Sequence, residues 1–359
     1  MIKILSFIAV FSILFAMETE RETIDMILNS FKGKPTKDLF KTWHFIFKKG
    51  YAYESDIAKS RYKIFKNNLK YINDYNAKNS GVTLGLNQFA DLTNQEFRKL
   101  HTDPSIHGKV MEMSKIENER LYEEEVEKIK AGTWQPEIVS EPRQLASINW
   151  TSKFLPVRDQ GYCGSCWAFS TVGAIEGNRA ITKGNNAYIS PQELVDCDTK
   201  TNLGCDGGWA TSAFNFVMAK GLALESNYPY TGYQSQCNTA NVAKVETNIS
   251  GYKTCQSVYA CNLNNTFYNL LAKGPLTTVI DAGSNEFQFY QSGVLNAPCS
   301  QINHGVIAVG YGISGGQDYW IIRNSWGTYW GNQGYVWIKN NNYGSCYVTN
   351  YGWLPIVTK

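Results

Sequence analysis

The segment Gln160-Gly161-Tyr162-Cys163-Gly164-Ser165-Cys166-Trp167 sets two cysteines three positions apart, just ahead of an apolar run that reads as a helix through Ala180. Such a pair can be a redox couple, half of a metal site, a disulfide end beside a nucleophile, or packing. A thiol attacks well only as thiolate, and a helix N-terminus with a nearby imidazolium lowers its pKa by several units. Cys166 stands where the helix should begin, whereas Cys163 falls in the preceding turn. Of the four histidines, His44, His101 and His107 precede every cysteine, so His304 alone lies in the cysteine-rich part. One imidazole can give a metal one nitrogen, and no second Cys-x-x-Cys follows, which argues against a metal site. The βαβ pattern of thioredoxin-like redox chemistry is also missing.

Elements must then be found that hold these groups. The chain has 359 residues and its first seventeen, MIKILSFIAVFSILFAM, carry Lys3 ahead of an unbroken apolar run. That run suits the core of a secretory signal and is too short to span a bilayer comfortably. No later stretch reads as a membrane span. The net charge is +3, from 34 basic and 31 acidic residues without a basic block, so no electrostatic case exists for nucleic acid or anionic membrane as a partner. All nine cysteines lie at or after position 163. In an oxidising compartment an odd count leaves one outside the disulfides.

From Pro35 to Leu100 the pattern is helical and charged. Leu39, Trp43, Phe45 and Phe47 begin an aromatic-rich amphipathic segment. Ile57, Arg61, Ile64, Phe65, Asn68, Leu69, Ile72 and Tyr75 recur at spacings of three and four, forming one stripe. Leu92-Thr93-Asn94-Gln95-Glu96-Phe97 reads as a capped helix start. Residues 101–143 form a charged linker, in which Glu124 stands four before Lys128 with Tyr122, Val126 and Ile129 on one side, and Gly132, Pro136 and Pro142 break the pattern. Beyond Cys166 a long helix should end at Gly184, and Pro191 should open another after Ser190. From Pro275 the period changes: TTVID, GVIAVGYG, DYWIIRNSW and YVWIKN read as strands between glycine turns. A helical half followed by a β half is expected, sharing one core region or facing each other across a cleft.

The ordered motifs CGSCWAFS, NHGVIAVGYG and RNSWG resemble those of papain-like cysteine peptidases, most closely the cathepsin L-like branch with its propeptide attached. The likeness covers roughly residues 36–100 and 146–359. It implies an α+β fold: a two-lobed catalytic domain, with a helical lobe and a β-barrel-like lobe, preceded by a small α-helical inhibitory propeptide. By that resemblance Cys166 is the nucleophile, His304 the acid/base, Asn324 the residue orienting the imidazole, and Gln160 an oxyanion donor. Trp326 would cover the His304–Asn324 bond. The family's disulfides would be Cys163–Cys205, Cys197–Cys237 and Cys299–Cys346. Cys255 and Cys261, close together in a loop-like stretch, would form a fourth, leaving Cys166 outside.

The resemblance also divides the chain into a signal peptide (1–17), a propeptide (18–145, with the inhibitor domain at 36–100 and the linker at 101–145) and the peptidase domain (146–359). Arg61, Phe65, Asn68, Ile72 and Asn76 match the propeptide helix pattern, and Gly85, Asn87, Phe89 and Asp91 its second motif. Ile57 stands where the pattern has glutamate, removing one expected salt bridge. Processing is expected near Arg143 to Ala146.

Trp209, Ala210, Val279, Ile302, Gly305 and, near the floor of the main specificity pocket, Tyr351 match the family's cleft. Being mostly apolar, they favour a hydrophobic side chain two residues before the scissile bond. The expected partners are protein and peptide substrates and the chain's own propeptide. The reading calls for no cofactor and no metal, and for a monomer of the secretory pathway, destined for lysosome, vacuole or the extracellular space. Without a histidine-bearing insertion to cap the cleft, an endopeptidase is favoured over an exopeptidase. The alternatives are a non-catalytic peptide-binding relative of the same fold, and a protein acting chiefly as an inhibitor through residues 36–100. Sequons occur at Asn149, Asn248 and Asn264. Because Trp150 should pack down, the sequon at Asn149 is the one least expected to carry a sugar.

Overall fold

The computed structural model describes residues 24–28, 30–31, 34–78 and 81–102, scattered positions between 112 and 131, and 147–358 apart from 239, 241–246, 263–264 and 342–344. The signal segment, Asn264, Tyr122, Val126, Lys128, Ile129, and the processing stretch from Arg143 to Ala146 lie outside the described residues.

After a helical stretch at residues 24–28 come two helices, α1 (Thr36–Ile46) and α2 (Asp56–Asn76). Helix α1 buries Leu39, Phe40 and Trp43, whose three- and four-residue spacing puts them on one face. Phe45 is 82 % exposed. It follows Trp43 by two residues, about 200° round the helix, so it must point away from whatever Trp43 faces. Phe40 and Trp43 meet Phe65 of α2 at ring-centroid distances of 5.2 and 5.1 Å, closing a small core. Ile57, in the first turn of α2, is exposed.

The matched propeptide positions have local physical reasons. Asn76 brackets Leu84, donating to its carbonyl and accepting from its N–H, and Asn68 donates to the carbonyls of Ala90 and Leu92. Asp91 pairs with Lys49 at 2.9 Å and accepts from the Tyr51 hydroxyl. Although Ile57 removes one partner, Arg61 finds Glu96 at 2.8 Å. Glu96 also closes the expected capping box with Thr93 at the start of α3 (Asn94–His101).

Between α2 and α3, strand β1 (Val82–Leu84) pairs antiparallel with β5 (Tyr290–Leu295) of the main sheet. Gly85 lies where a Cβ would come within 2.6 Å of the Gln291 side chain. Ile72, Val82, Leu84, Phe89, Leu92 and Phe97 therefore belong to the same apolar cluster as the strands. The N-terminal unit is built into the β lobe's core as well as laid over its surface.

The main sheet has the order β1-β5-β8-β7-β6-β4-β9-β3, with β2 (Ile148–Asn149) beside β6. Its remaining members are β3 (Ile249–Cys255), β4 (Leu276–Ile280), β6 (His304–Ser314), β7 (Gln317–Arg323), β8 (Tyr335–Lys339) and β9 (Gly352–Val357). The four strand-like runs after Pro275 are β4, β6, β7 and β8. Helix α4 (Cys166–Lys183) is buried nearly all round through Ala180 and ends at Gly184 with φ 71°. Helix α5 (Pro191–Cys197) opens at Ser190, whose hydroxyl accepts from the Glu193 N–H, and α6 (Ala210–Lys220) packs beside them. Helices α4 and α6 share a second core with Val279, Ile307, Ile321 and Trp353 of the sheet. Four disulfides form in the expected pairing, Cys163–Cys205, Cys197–Cys237, Cys255–Cys261 and Cys299–Cys346. Asn149 is exposed, while its partly buried neighbour Trp150 donates its indole N–H to the Leu271 carbonyl. Among the described residues no helix is long and apolar enough to cross a membrane.

Candidate active site

Cys166 is the first residue of α4 and, among the cysteines, the one outside a disulfide. The turn before it is pinned by Cys163–Cys205 and by the Gly164 N–H donating to the Cys205 carbonyl. A Cβ at Gly164 would come within 2.4 Å of that carbonyl, so only glycine lets the turn close. The thiol is thus fixed at a helix N-terminus, where the dipole favours negative charge.

His304 is the first residue of β6, paired with Ile280 of β4. Its strand is drawn against α4 at Gly305, where a Cβ would stand 3.0 Å from the Ser170 hydroxyl and 3.3 Å from the Cys166 carbonyl oxygen. The missing side chain at Gly305 therefore sets how closely the histidine strand approaches the cysteine helix. It supplies positioning from behind the pair.

The imidazole Nε2 lies 2.7 Å from Asn324 Oδ1. That oxygen also accepts from the Ser325 backbone N–H at 2.8 Å, a donor whose role is not in question. The amide oxygen is therefore the atom facing the ring, Nε2 must carry a hydrogen, and Nδ1 is the nitrogen left to exchange a proton. Trp326 covers this bond, with its rings 4.8 Å from the imidazole and no exposure to solvent. Burial of the imidazole pushes His304 down to about 4, against the opposing effect of the Asn324 hydrogen bond. In this closed form the ring is neutral at physiological pH.

Gln160 is fully buried. Its Oε1 accepts from the Ser325 hydroxyl at 2.5 Å, and Nε2 donates to the Cys163 carbonyl at 3.0 Å. These two bonds fix the amide orientation, and Nε2 has a second hydrogen to offer an oxyanion. Ser325 was not singled out in the sequence, yet it joins Gln160 to Asn324 through both backbone and hydroxyl. Tyr230 was likewise missed: its hydroxyl donates to the Gln160 carbonyl and meets the Ser165 hydroxyl at 2.7 Å. Ser325's place beside Asn324 in RNSWG was a usable signal. Nothing local marked Tyr230.

The apolar cleft candidates fall together. Trp209, Ala210, Val279, Ile302 and Tyr351 are buried and belong to one cluster, in which Tyr351 stacks on Trp353 at 6.0 Å and meets Trp209 edge-on at 6.4 Å. Among the described residues no group of three or more His, Cys, Asp or Glu side chains is arranged to hold a metal ion.

From the N-terminal unit, Gln88 donates to the Trp326 carbonyl at 2.6 Å and Asn87 to the Gln288 carbonyl at 2.8 Å. Phe89 and Phe97 set their rings edge-on to Trp326 at 5.5 and 5.3 Å. Fold and site together define a thiol enzyme held under its own N-terminal segment.

Residues 145–356 match the family described as papain family cysteine protease, and residues 40–97 match the cathepsin propeptide inhibitor domain. The chain belongs to the papain family of cysteine proteases, on its cathepsin L-like side, and it is a cysteine endopeptidase carrying its propeptide. It is 39 % identical over 328 residues to chymopapain of Carica papaya, covering 88 % of this chain and 86 % of that protein. The solved structure of recombinant stem bromelain precursor superposes with a TM-score of 0.74 at 32 % identity, covering 91 % of this chain and all of the other. The proform of Amb a 11, a ragweed pollen cysteine protease, gives 0.74 at 31 % identity, with 90 % and 94 % covered.

Proposed function

We infer that the catalytic residues are Cys166, His304, Asn324 and Gln160, and that they hydrolyse internal peptide bonds through an acyl-enzyme. The Cys166 thiol passes its proton to His304 Nδ1, and the thiolate attacks the scissile carbonyl carbon. The oxyanion is met by the Cys166 backbone N–H and the second Gln160 Nε2 hydrogen, each such donor typically worth a few kcal/mol of barrier. The imidazolium then gives its proton to the leaving amine as the C–N bond breaks, forming a thioester. Water, deprotonated by His304, attacks the thioester and restores the thiol. Asn324 holds the tautomer this sequence needs. The observation that carries the reading is the doubly constrained Asn324 oxygen on His304 Nε2, beside the one cysteine left outside the four disulfides.

The buried apolar set around Tyr351 supports a preference for a hydrophobic side chain two residues before the cut, with Trp209, Ala210, Val279 and Ile302 contributing and Trp326 flanking the leaving side. Residues 1–17 are the signal peptide, residues 18–145 the propeptide with its inhibitory core at 36–100, and residues 146–359 the peptidase domain. The enzyme travels the secretory pathway to a lysosome, a vacuole or the exterior and acts as a monomer on proteins and peptides. The test is hydrolysis by processed protein, under reducing mildly acidic conditions, of two fluorogenic peptides differing at that position. A leucine or phenylalanine peptide should be cut well ahead of its arginine counterpart. The absence of hydrolysis in folded, processed protein would remove the reading.

A further inference from the structure

Helix α3 ends on a histidine that the reaction does not use. His101 is 3 % exposed, and among the described residues neither of its ring nitrogens has a hydrogen-bond partner. Its ring stands in a box of aromatic rings. Phe89 and Phe97 of its own segment lie at 4.5 and 5.5 Å, and Tyr162 and Trp326 of the catalytic domain at 5.7 and 5.9 Å. Trp326 is the same indole that lies on His304. A buried imidazole with two unanswered nitrogens costs stability that phenylalanine or leucine in the same box would not. The residue sits at the seam between propeptide and enzyme, where such a cost acts on their association.

The charged and titratable groups around it oppose a proton. From β6 it faces His304, and from the chain after α1 it faces Lys49, which is paired with Asp91. Tyr162 faces it from the turn before α4. Asp159, bridged to Trp326, is committed to the Gly161 N–H. On its own helix Arg98 and Lys99 are exposed. Burial first, then His304 and Lys49, hold His101 down to about 3.

We propose that His101 is an acid latch on this proenzyme: neutral, it seats α3 over Trp326 and the catalytic pair, and protonated, it leaves the aromatic box and carries α3 away from the site. No covalent step is involved, because the trigger is one proton taken from solvent by the open form. A solvent-exposed imidazole titrates near 6.5, so each pH unit below that favours opening about tenfold, and about a hundredfold in all at pH 4.5.

The latch rests on reading residues 36–100 as this protease's inhibitory segment, but its test needs no catalysis. Full-length Cys166→Ala protein, alone and with His101→Phe added, would be followed by amide hydrogen exchange at β1 and α3 at pH 7.5 and 4.5, corrected for intrinsic rates. Protection measures the closed-to-open equilibrium. Protection should fall on acidification in the parent, and by about a hundredfold less in the His101→Phe chain. Equal falls would overturn the latch. Independently of any added substitution, nuclear magnetic resonance of the His101 ring should show it neutral at pH 5.5 while α3 stays protected. A ring titrating near 6.5 in a protected helix would also overturn it. Either failure leaves the peptidase reading standing, since that depends on hydrolysis and on Cys166 reactivity.

Discussion

Replacing Asn324 by alanine separates an oriented imidazole from one merely nearby. The substitution deletes the oxygen 2.7 Å from His304 Nε2 and also strips the Ser325 N–H of its acceptor. Trp326, fully buried over the bond, hinders water from replacing either partner. A buried donor left unsatisfied costs about 1–3 kcal/mol, which at about 1.4 kcal/mol per decade is a loss of roughly 5- to 150-fold in kcat/KM if the cost falls on the imidazolium-bearing states. The direction of the pH effect is also fixed. The Asn324 bond raises the His304 pKa against burial, so its removal should move the alkaline limb of the kcat/KM profile to lower pH. Asn324→Asp, which restores an acceptor and adds negative charge, should move that limb upward. The assay is kcat/KM against pH for processed wild-type and variant enzymes, with near-ultraviolet circular dichroism confirming the fold. An Asn324→Ala enzyme within twofold of wild type, with an unmoved alkaline limb, would refute the reasoning.

Gly305→Ala should lower kcat/KM by at least tenfold and destabilise the fold by about 1–3 kcal/mol, since its Cβ must push β6 away from the Cys166 and Ser170 atoms that it nearly touches; urea unfolding and steady-state kinetics check both parts. Removing Cys255–Cys261 as a double alanine variant should cost about 2 kcal/mol, as the closed loop is short, and leave kcat/KM unchanged. Removing Cys163–Cys205 should cost about 4 kcal/mol and also impair activity, because that bridge holds the turn before the nucleophile. For the intact proform, His304 and His101 are both depressed by burial, so the unfolded chain takes up their protons first. Their contribution to stability is full above pH 6.5 and is lost as pH falls toward 4, which a calorimetric Tm series on Cys166→Ala protein from pH 7.5 to 4.5 should register as a steady decline.

The elements whose determinants are local were legible in the chain. Helix α4 runs from Cys166 to a glycine in the left-handed conformation, α5 opens at Ser190-Pro191, and Thr93 and Glu96 cap α3, all readable within a few residues. The rest depends on strand alternation and on long-range pairing. The sequon at Asn149 reads as doubtful because Trp150 packs inward, yet neighbouring positions of an extended chain face opposite ways and Asn149 is exposed. The parallel pairing of β5 with β8 and the addition of β1 to the sheet join segments remote in sequence, which no local periodicity encodes. At the site, Cys166, His304, Asn324 and Gln160 could be marked by motif. Their shared brace, Ser325, stands in the same RNSWG motif, whereas the covering His101 acquires meaning only once its segment meets Trp326.

The central claim is that Cys166 is an activated nucleophile kept latent by the N-terminal segment. Its most direct test is to hold the full-length protein in reductant at mildly acidic pH, add a thiol-directed peptidyl epoxide, and follow both propeptide loss and the site of modification by mass spectrometry. Labelling confined to Cys166, and rising as the propeptide leaves, is the expected result. A folded, processed enzyme whose Cys166 stays unmodified, or a proform labelled as fast as the processed one, would contradict it.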